Sequence, residues 1–370
     1  MLLGALSSCI EYFEPEIPAD ESAMLVVNGS IRSGEKSVFV LSRTVTLGEK
    51  VPDPYVHDAT VAVCGTDGMR YKAKQNGNKY EVWVGRLASN EQYWVEIVTP
   101  DGTAYSSEPM SPVDAPDMVG HYSQLGKNSP VEFTIDTYPT DEPTYVSLNY
   151  DETWEVKTPY IPTHEYYPRE KKIFATAKPH VRGWGMSEST ATIIEPTSKY
   201  VNHSIKGYKI HEVSSYDTRI YLLYRIRMYA EAVSKEEYEY EEARRKQTDE
   251  MGGLFTPQPT QLPSNIHSVN SDRKAIGYVG VRGKISSYTI MLTRKEVEYN
   301  EVRKMEILSP GEIKKLGYNN AMLHDLDYSV LDFDVMANGY NWISTWAVDC
   351  RHYTWKTQTE TMPDDWPDLY

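Results

Sequence analysis

From Ala23 onward the chain breaks into short runs of β-branched, aromatic and aliphatic residues, each closed by a turn cluster. Met24-Leu25-Val26-Val27 stops at Asn28-Gly29, and Ser37-Val38-Phe39-Val40-Leu41 follows. Further runs lie at 60–64, 69–73, 80–84 and 93–98. Gly65-Thr66-Asp67-Gly68, Asn76-Gly77-Asn78 and Pro100-Asp101-Gly102 separate several of them. Such short segments are below the length of a stable helix, and their spacing of roughly 8–12 residues is that of a β-sandwich. The spacing predicts an immunoglobulin-like sandwich over 23–113, with Pro112-Val-Asp-Ala-Pro116 as the linker.

Beyond the linker the chain still reads as β. Over 219–229, Ile220, Leu222, Tyr224, Ile226 and Met228 alternate with Tyr221, Arg225, Arg227 and Tyr229, which predicts a half-buried strand. A helix then interrupts at about 234–251. Ser234-Lys235-Glu236-Glu237 has the form of a capping box, Glu241/Arg245 and Glu242/Lys246 are spaced for i,i+4 pairs, and Gly252-Gly253 ends the segment. Strands are expected at 275–281 and 285–292, where Gly277, Gly280 and Gly283 mark bulges or close packing. Residues 158–200 and 296–325 carry little periodicity and read as long loops. The expected fold class is mainly β: an N-terminal immunoglobulin-like β-sandwich, then a larger β domain over 117–370 with one inserted α-helix.

Fifty-three acidic against 38 basic residues give a net charge of −15, which argues against nucleic acid as a partner. No run approaches the ~18 apolar residues of a membrane-spanning helix. Membrane attachment would therefore have to come from lipid, and the N-terminus offers a place for it. Leu6-Ser7-Ser8-Cys9 has the form of a bacterial lipobox, in which cleavage precedes the cysteine and its thiol is acylated. The apolar run ahead of it, Leu2 to Leu6, is short and carries no Lys or Arg before it. Residues 10–22 hold Pro15, Pro18 and five acids without periodicity, and read as a tether. The expectation is an acylated Cys9, with a leader and tether over 1–22.

Candidate chemistry is sparse. The nine histidines form no HExxH, no GxSxG elbow or CxxC occurs, and the three glycines around 280 match neither a P-loop nor a dinucleotide fingerprint. His324-Asp325-Leu326-Asp327 and Asp332-Phe333-Asp334 are acidic enough for calcium, yet Leu331, Phe333 and Val335 alternate with Asp332 and Asp334 as on a strand with one wet face. A pair of carboxylates suffices for glycoside hydrolysis, but no pair stands out. Cys64, inside an apolar run, reads as a buried free thiol. No catalytic residue, metal or cofactor is expected. Twenty-nine tyrosines and eight tryptophans against six phenylalanines leave ligand contact to aromatic side chains. The proline-punctuated stretch WEVKTPYIPTHEYYP places Trp154, Tyr160, Tyr166 and Tyr167 together as the candidate contact surface; aromatic residues folded back onto a sheet are the plainer alternative.

The order of these segments resembles a family. GGLFTPQPTQLPSNI (252–266) follows a strand and a Glu/Tyr-rich helix and precedes AIGYVGVRG (275–283); LVVNGSI (25–31), YDETWEV (150–156) and VDCRHY with a later DDWP near the end fall in the same order. Together with the lipobox they are similar to the Bacteroidota lipoproteins catalogued as domain of unknown function 4249. The resemblance implies an outer-membrane lipoprotein encoded beside a TonB-dependent transporter, and Glu11, Glu14 and Glu16 are similar to the acidic signal that sends such proteins to the cell surface. It implies no catalytic residues. Members carry Cys-Trp where this chain has Gly183-Trp184 and a CxxC where it has 347–350. A disulfide of the family is therefore expected to be absent here, and the state of Cys350 stays open.

The resulting expectation is a surface-exposed, non-catalytic accessory subunit of a TonB-dependent nutrient importer. An adhesin or structural surface protein is the alternative, and a surface glycan or peptide hydrolase is a third.

Overall fold

A computed structural model describes residues 24–45, 53–189, 193–250, 264–300, 305–352 and 358–367. Cys9, the tether and the Gly252-Gly253 helix stop lie outside the described residues. The chain is mainly β and divides into two compact units, 1–115 with 232–285, and 116–231 with 286–370.

The first unit has two five-stranded sheets. One runs in the order Ala275–Arg282, Leu25–Arg32, Lys36–Arg43, Lys79–Trp83, Lys74–Asn76; the other runs Ile266–Ser268, Ala104–Ser107, Tyr93–Val98, Thr60–Gly65, Arg70–Lys72. Period-two alternation turns Leu25, Val27, Phe39, Leu41, Tyr80 and Val82 inward from the first sheet to meet Val61, Val63, Tyr93, Val95, Ile97 and Tyr105 of the second in one core. Cys64 is a buried free thiol, as its apolar run predicts.

The domain boundary differs from the sequence expectation. The helix and the strand after it do not belong to the region beyond the linker, because Ala275–Arg282 pairs in parallel along the whole of Leu25–Arg32, and Ile266–Ser268 pairs with Ala104–Ser107. A parallel pair needs a long crossover, and here residues 33–274 supply it. Gly277, at φ 129°, lets the two backbones approach where a Cβ would strike the Val27 carbonyl.

The helix spans Lys235–Glu250 and begins as predicted, with the Glu237 amide donating to Ser234 Oγ at 3.1 Å. The box is not reciprocal. The Glu237 carboxylate instead takes the guanidinium of Arg282, both side chains being buried, in the space left by Gly280. Among the described residues the helix's exposed ion pairs are Glu241–Arg244 and Glu242–Arg245 at i,i+3 and Lys235–Glu239 at i,i+4; the predicted Glu241/Arg245 and Glu242/Lys246 pairs do not form.

The second unit holds a three-stranded sheet (Tyr208–Val213, Val131–Thr137, Met118–Ser123) and a six-stranded one. The latter runs Ser286–Thr293, Leu223–Val233, Tyr145–Lys157, Arg182–Glu188, Gln358–Thr359, with Ile193–Pro196 added on Tyr145–Lys157. Tyr224, Ile226 and Met228 are buried as their alternation predicts, whereas Thr218–Ile220 forms a 3-10 turn before the strand begins. The C-terminal segment is pinned by Trp366, whose Nε1 donates to buried Glu155 at 3.1 Å, and by Arg225 on Asp365 at 2.6 Å.

Two regions read as loops carry structure. Residues 158–200 contain the hairpin His164–Tyr167/Lys172–Ala175 and the strands Arg182–Glu188 and Ile193–Pro196. Within 296–325 lie the helices Pro310–Leu316 and Asn320–Asp325. The signal for the first helix was present in Ser309-Pro310-Gly311-Glu312, a complete capping box with proline in the first turn and Gly317 in the left-handed region at the end. The strand Tyr328–Asp334 also departs from its expected faces. Val330 is buried ahead of a register shift between Val330 and Asp332, and the strand ends at Asp334 with Val335 77% exposed in the following turn, so the expected apolar face of Leu331, Phe333 and Val335 does not form.

Candidate functional site: a histidine-lined cleft

The aromatic stretch singled out in the sequence disperses on folding. Trp154 is 0% exposed, packed flat beneath Gly185 in the six-stranded sheet, where a Cβ on that glycine would overlap the indole. Tyr160 is half-buried against Ile343, Ala347 and Val348. Tyr166 is buried with Leu308, Leu323, Val330 and Trp342. Only Tyr167 is exposed, at 41%, edge-on to Phe174. Trp154 thus takes the alternative role of sheet packing, because it points inward from a strand whose two faces are both covered.

Tyr166 nonetheless helps to line a cleft of about 210 Å³ within the second unit. The wall is assembled from the His164–Tyr167 strand, the turn at 179–180, the end of the Asn320–Asp325 helix, and the 3-10 turns Thr345–Ala347 and Cys350–His352. Backbone hydrogen bonds fasten these pieces: Tyr160 to Ala347 at 3.0 Å, Thr163 to Leu331 at 2.8 Å and Cys350 to His180 at 2.7 Å. Asp327 turns the chain between helix and strand in the left-handed region, at φ 65°, a conformation that aspartate tolerates better than most residues.

Four imidazoles line the cleft: His164, His180, His324 and His352. His180 Nδ1 lies 2.7 Å from Glu360, and His352 Nδ1 lies 3.3 Å from Asp327. A carboxylate on Nδ1 favours the proton there, leaving Nε2 as an acceptor while the ring is neutral. His324 packs on Tyr166 at 5.8 Å, and His164 sits edge-on to Tyr340 at 5.2 Å. Arg351 grips Asp349 in a fork, with contacts of 2.6–3.1 Å. Burial works against the Asp349 charge, but the Arg351 fork and the Arg351 backbone amide hold its carboxyl below the usual range. Burial, with the Glu306 carboxylate beside it, pushes the Tyr328 hydroxyl up to about 12.

The arrangement can offer imidazole acceptors, a tyrosine face and paired charges to a small polar ligand. Among the described residues no group of three or more His, Cys, Asp or Glu side chains comes together in a way that could hold a metal ion. The histidines carried no sequence signal, since successive ones lie 16, 144 and 28 residues apart with no shared motif.

A second polar cluster lies within the sheets of the same unit. Glu152 receives Arg219 Nη1 at 2.5 Å and the Tyr224 hydroxyl at 2.7 Å, while His211 Nε2 stands 3.3 Å away outside hydrogen-bonding geometry. Burial raises the Tyr224 hydroxyl well above its ordinary value, and the Glu152 charge adds to it. Nearly closed to solvent, this network orders the core.

The family model described as Domain of unknown function (DUF4249) matches residues 10–286. The match therefore includes the 162–180 wall of the cleft and stops before the 324–352 wall. No curated protein matches the chain. Among solved structures it is similar to the Yersinia pseudotuberculosis adhesin InvE, at 12% identity and a TM-score of 0.16, over 58% of this chain and 56% of that one. The chain spans little more than half of that adhesin, and a likeness this slight assigns neither fold nor role. The family match covers most of the sequence, and the chain belongs to the family described as Domain of unknown function (DUF4249).

Proposed function

We propose that the protein is a lipid-anchored lipoprotein of the outer-membrane surface, serving as a non-catalytic binding subunit of a TonB-dependent importer. The observation that carries the binding role is the cleft, with its four imidazoles, Tyr166 and the Asp349–Arg351 fork on one wall system. Leu6-Ser7-Ser8-Cys9 and the acidic residues after it support the anchor. A lipid anchor with a short tether raises the effective concentration of a membrane neighbour, so a modest intrinsic affinity suffices. The contact surface expected at 154–167 is narrowed to the cleft and Tyr167, because buried Trp154 is withdrawn from any ligand.

The test is co-purification from native membranes. The wild-type lipoprotein, extracted in mild detergent, is expected to bring an outer-membrane β-barrel with it. A His180→Ala/His352→Ala variant that folds and stays at the surface should weaken retention of the barrel or its cargo tenfold or more. A wild-type protein that emerges alone, with no barrel encoded beside it, defeats the reading.

A further inference from the structure

The outer face of one sheet in the first unit is half covered. At its Ala275–Arg282 end the Lys235–Glu250 helix lies over it, with Tyr240 against Tyr278 at 5.6 Å, Ser234 on the Tyr278 hydroxyl and Glu237 on Arg282. At the other end, no helix among the described residues lies over Lys36–Arg43, Lys79–Trp83 and Lys74–Asn76. Ser37, Phe39, Tyr80 and Val82 point into the core, so Lys36, Val38, Lys79, Glu81 and Trp83 point out. The register sets Lys36 opposite Trp83, and Glu81 between Val38 and Lys74. Lys36 Nζ reaches Glu81 at 3.3 Å.

Trp83 is 65% exposed, whereas Trp154, Trp184, Trp342 and Trp366 are buried. Two residues beyond Trp83, the hydroxyl of exposed Tyr71, from the second sheet, comes within 4.0 Å of where a Cβ would stand on Gly85. The platform is anchored rather than loose, since Gly85 accepts from the Gly34 amide at 3.1 Å and the Leu87 amide donates to Ser33 Oγ at 2.9 Å.

We infer that this face is a binding site for an acidic saccharide chain, one bearing uronate groups. A flat, exposed indole stacks on the C–H face of a pyranose ring. Hydroxyls beside the ring need both donors and acceptors, which the Lys36–Glu81 pair and Asn76 supply. The charge selects an anion: Lys36, Lys74 and Lys79 surround the Glu81 carboxylate on these strands, a local positive patch on a chain of net charge −15. The same central carboxylate sets the site against the dense phosphates of nucleic acid.

Affinity electrophoresis of the full chain in gels containing polygalacturonate tests this, with dextran and oligothymidylate as the neutral and nucleic-acid comparisons. Polygalacturonate should retard the wild-type protein, and dextran much less. Trp83→Ala should lose at least tenfold in affinity, Trp83→Tyr should keep part of it, and Lys74→Gln/Lys79→Gln should weaken it in a salt-dependent way. All variants are at exposed positions and should unfold at the wild-type temperature. Absence of retardation, retention unchanged in Trp83→Ala, or oligothymidylate bound as well as polygalacturonate would each overturn the inference. The cleft of the second unit is untouched by these changes, so the importer reading stands or falls separately.

Discussion

Gly183 faces Cys350: a Cβ on the glycine would stand 3.8 Å from the Cβ of Cys350 and 3.2 Å from its sulfur. The first distance is the mean of disulfide Cβ separations. Gly183→Cys is therefore expected to form a bond to Cys350 on mild oxidation, seen as the loss of two hydrogens in the intact mass. The Thr359 carbonyl, 3.2 Å from the new Cβ, must yield by a few tenths of an ångström. Cross-linking so long a loop should stabilise the protein by about 2–4 kcal/mol. Two free thiols persisting at these positions under oxidant would refute the geometry.

The native thiols should be unreactive. Burial pushes the Cys350 thiol up to about 11, with the Asp349 charge adding to it. Burial also raises Cys64, and the neighbouring Glu96 outweighs Arg70 there. Iodoacetamide at pH 8 is expected to leave both unmodified in the folded protein and to label both in guanidinium, as peptide mapping would reveal.

Removing one member of the buried Arg282–Glu237 pair leaves a charge without its counterpart. Arg282→Met should cost about 3–5 kcal/mol in denaturant unfolding, and the double variant with Glu237→Leu should cost less than either single change. Additive losses would show that the two side chains act independently.

Ser234 accepts from the Glu237 amide, and this cap does not depend on the Glu237 carboxylate. Ser234→Ala should lower stability by about 0.5–2 kcal/mol. A midpoint equal to wild type would place the helix start elsewhere.

Glu152 links stability to acid pH. Burial alone would raise its carboxyl, but His211, Arg219 and Tyr224 together hold it below the ordinary glutamate value of 4.5. A depressed folded value means the contribution is complete above about pH 4.5 and is lost as pH falls through the folded value. Glu152→Gln should therefore be less stable than wild type near neutrality, with the difference shrinking below pH 4.5. Urea midpoints at a series of pH values would expose a difference that stays constant, which would contradict the assignment.

Local features were legible without the fold. The apolar run Val38-Phe39-Val40-Leu41 marks a strand, and Ser234 marks a helix start, because a residue's own neighbours decide both. Residues 23–113 were recognisable as β-sandwich material for the same reason. Ala275–Arg282 was legible as a strand with close-packing glycines, but its parallel partner lies at Leu25–Arg32, 250 residues earlier. No local pattern encodes that pairing; it is selected by which faces can be buried together. Trp154 and Trp83 make the point for function. Both sit on strands with a glutamate within two residues, and the sequence marked Trp154 for ligand contact. Tertiary packing reversed the roles: Trp154 is sealed beneath Gly185 and Trp83 is left facing water. Likewise no two of the four cleft histidines share a motif, and only the folding of distant turns onto one another brings them to a common wall. The sequence by itself determined strands, turns and caps, which depend on neighbours a few residues apart. Sheet partners, domain membership and exposure were decided by long-range burial, which is a property of the assembled core.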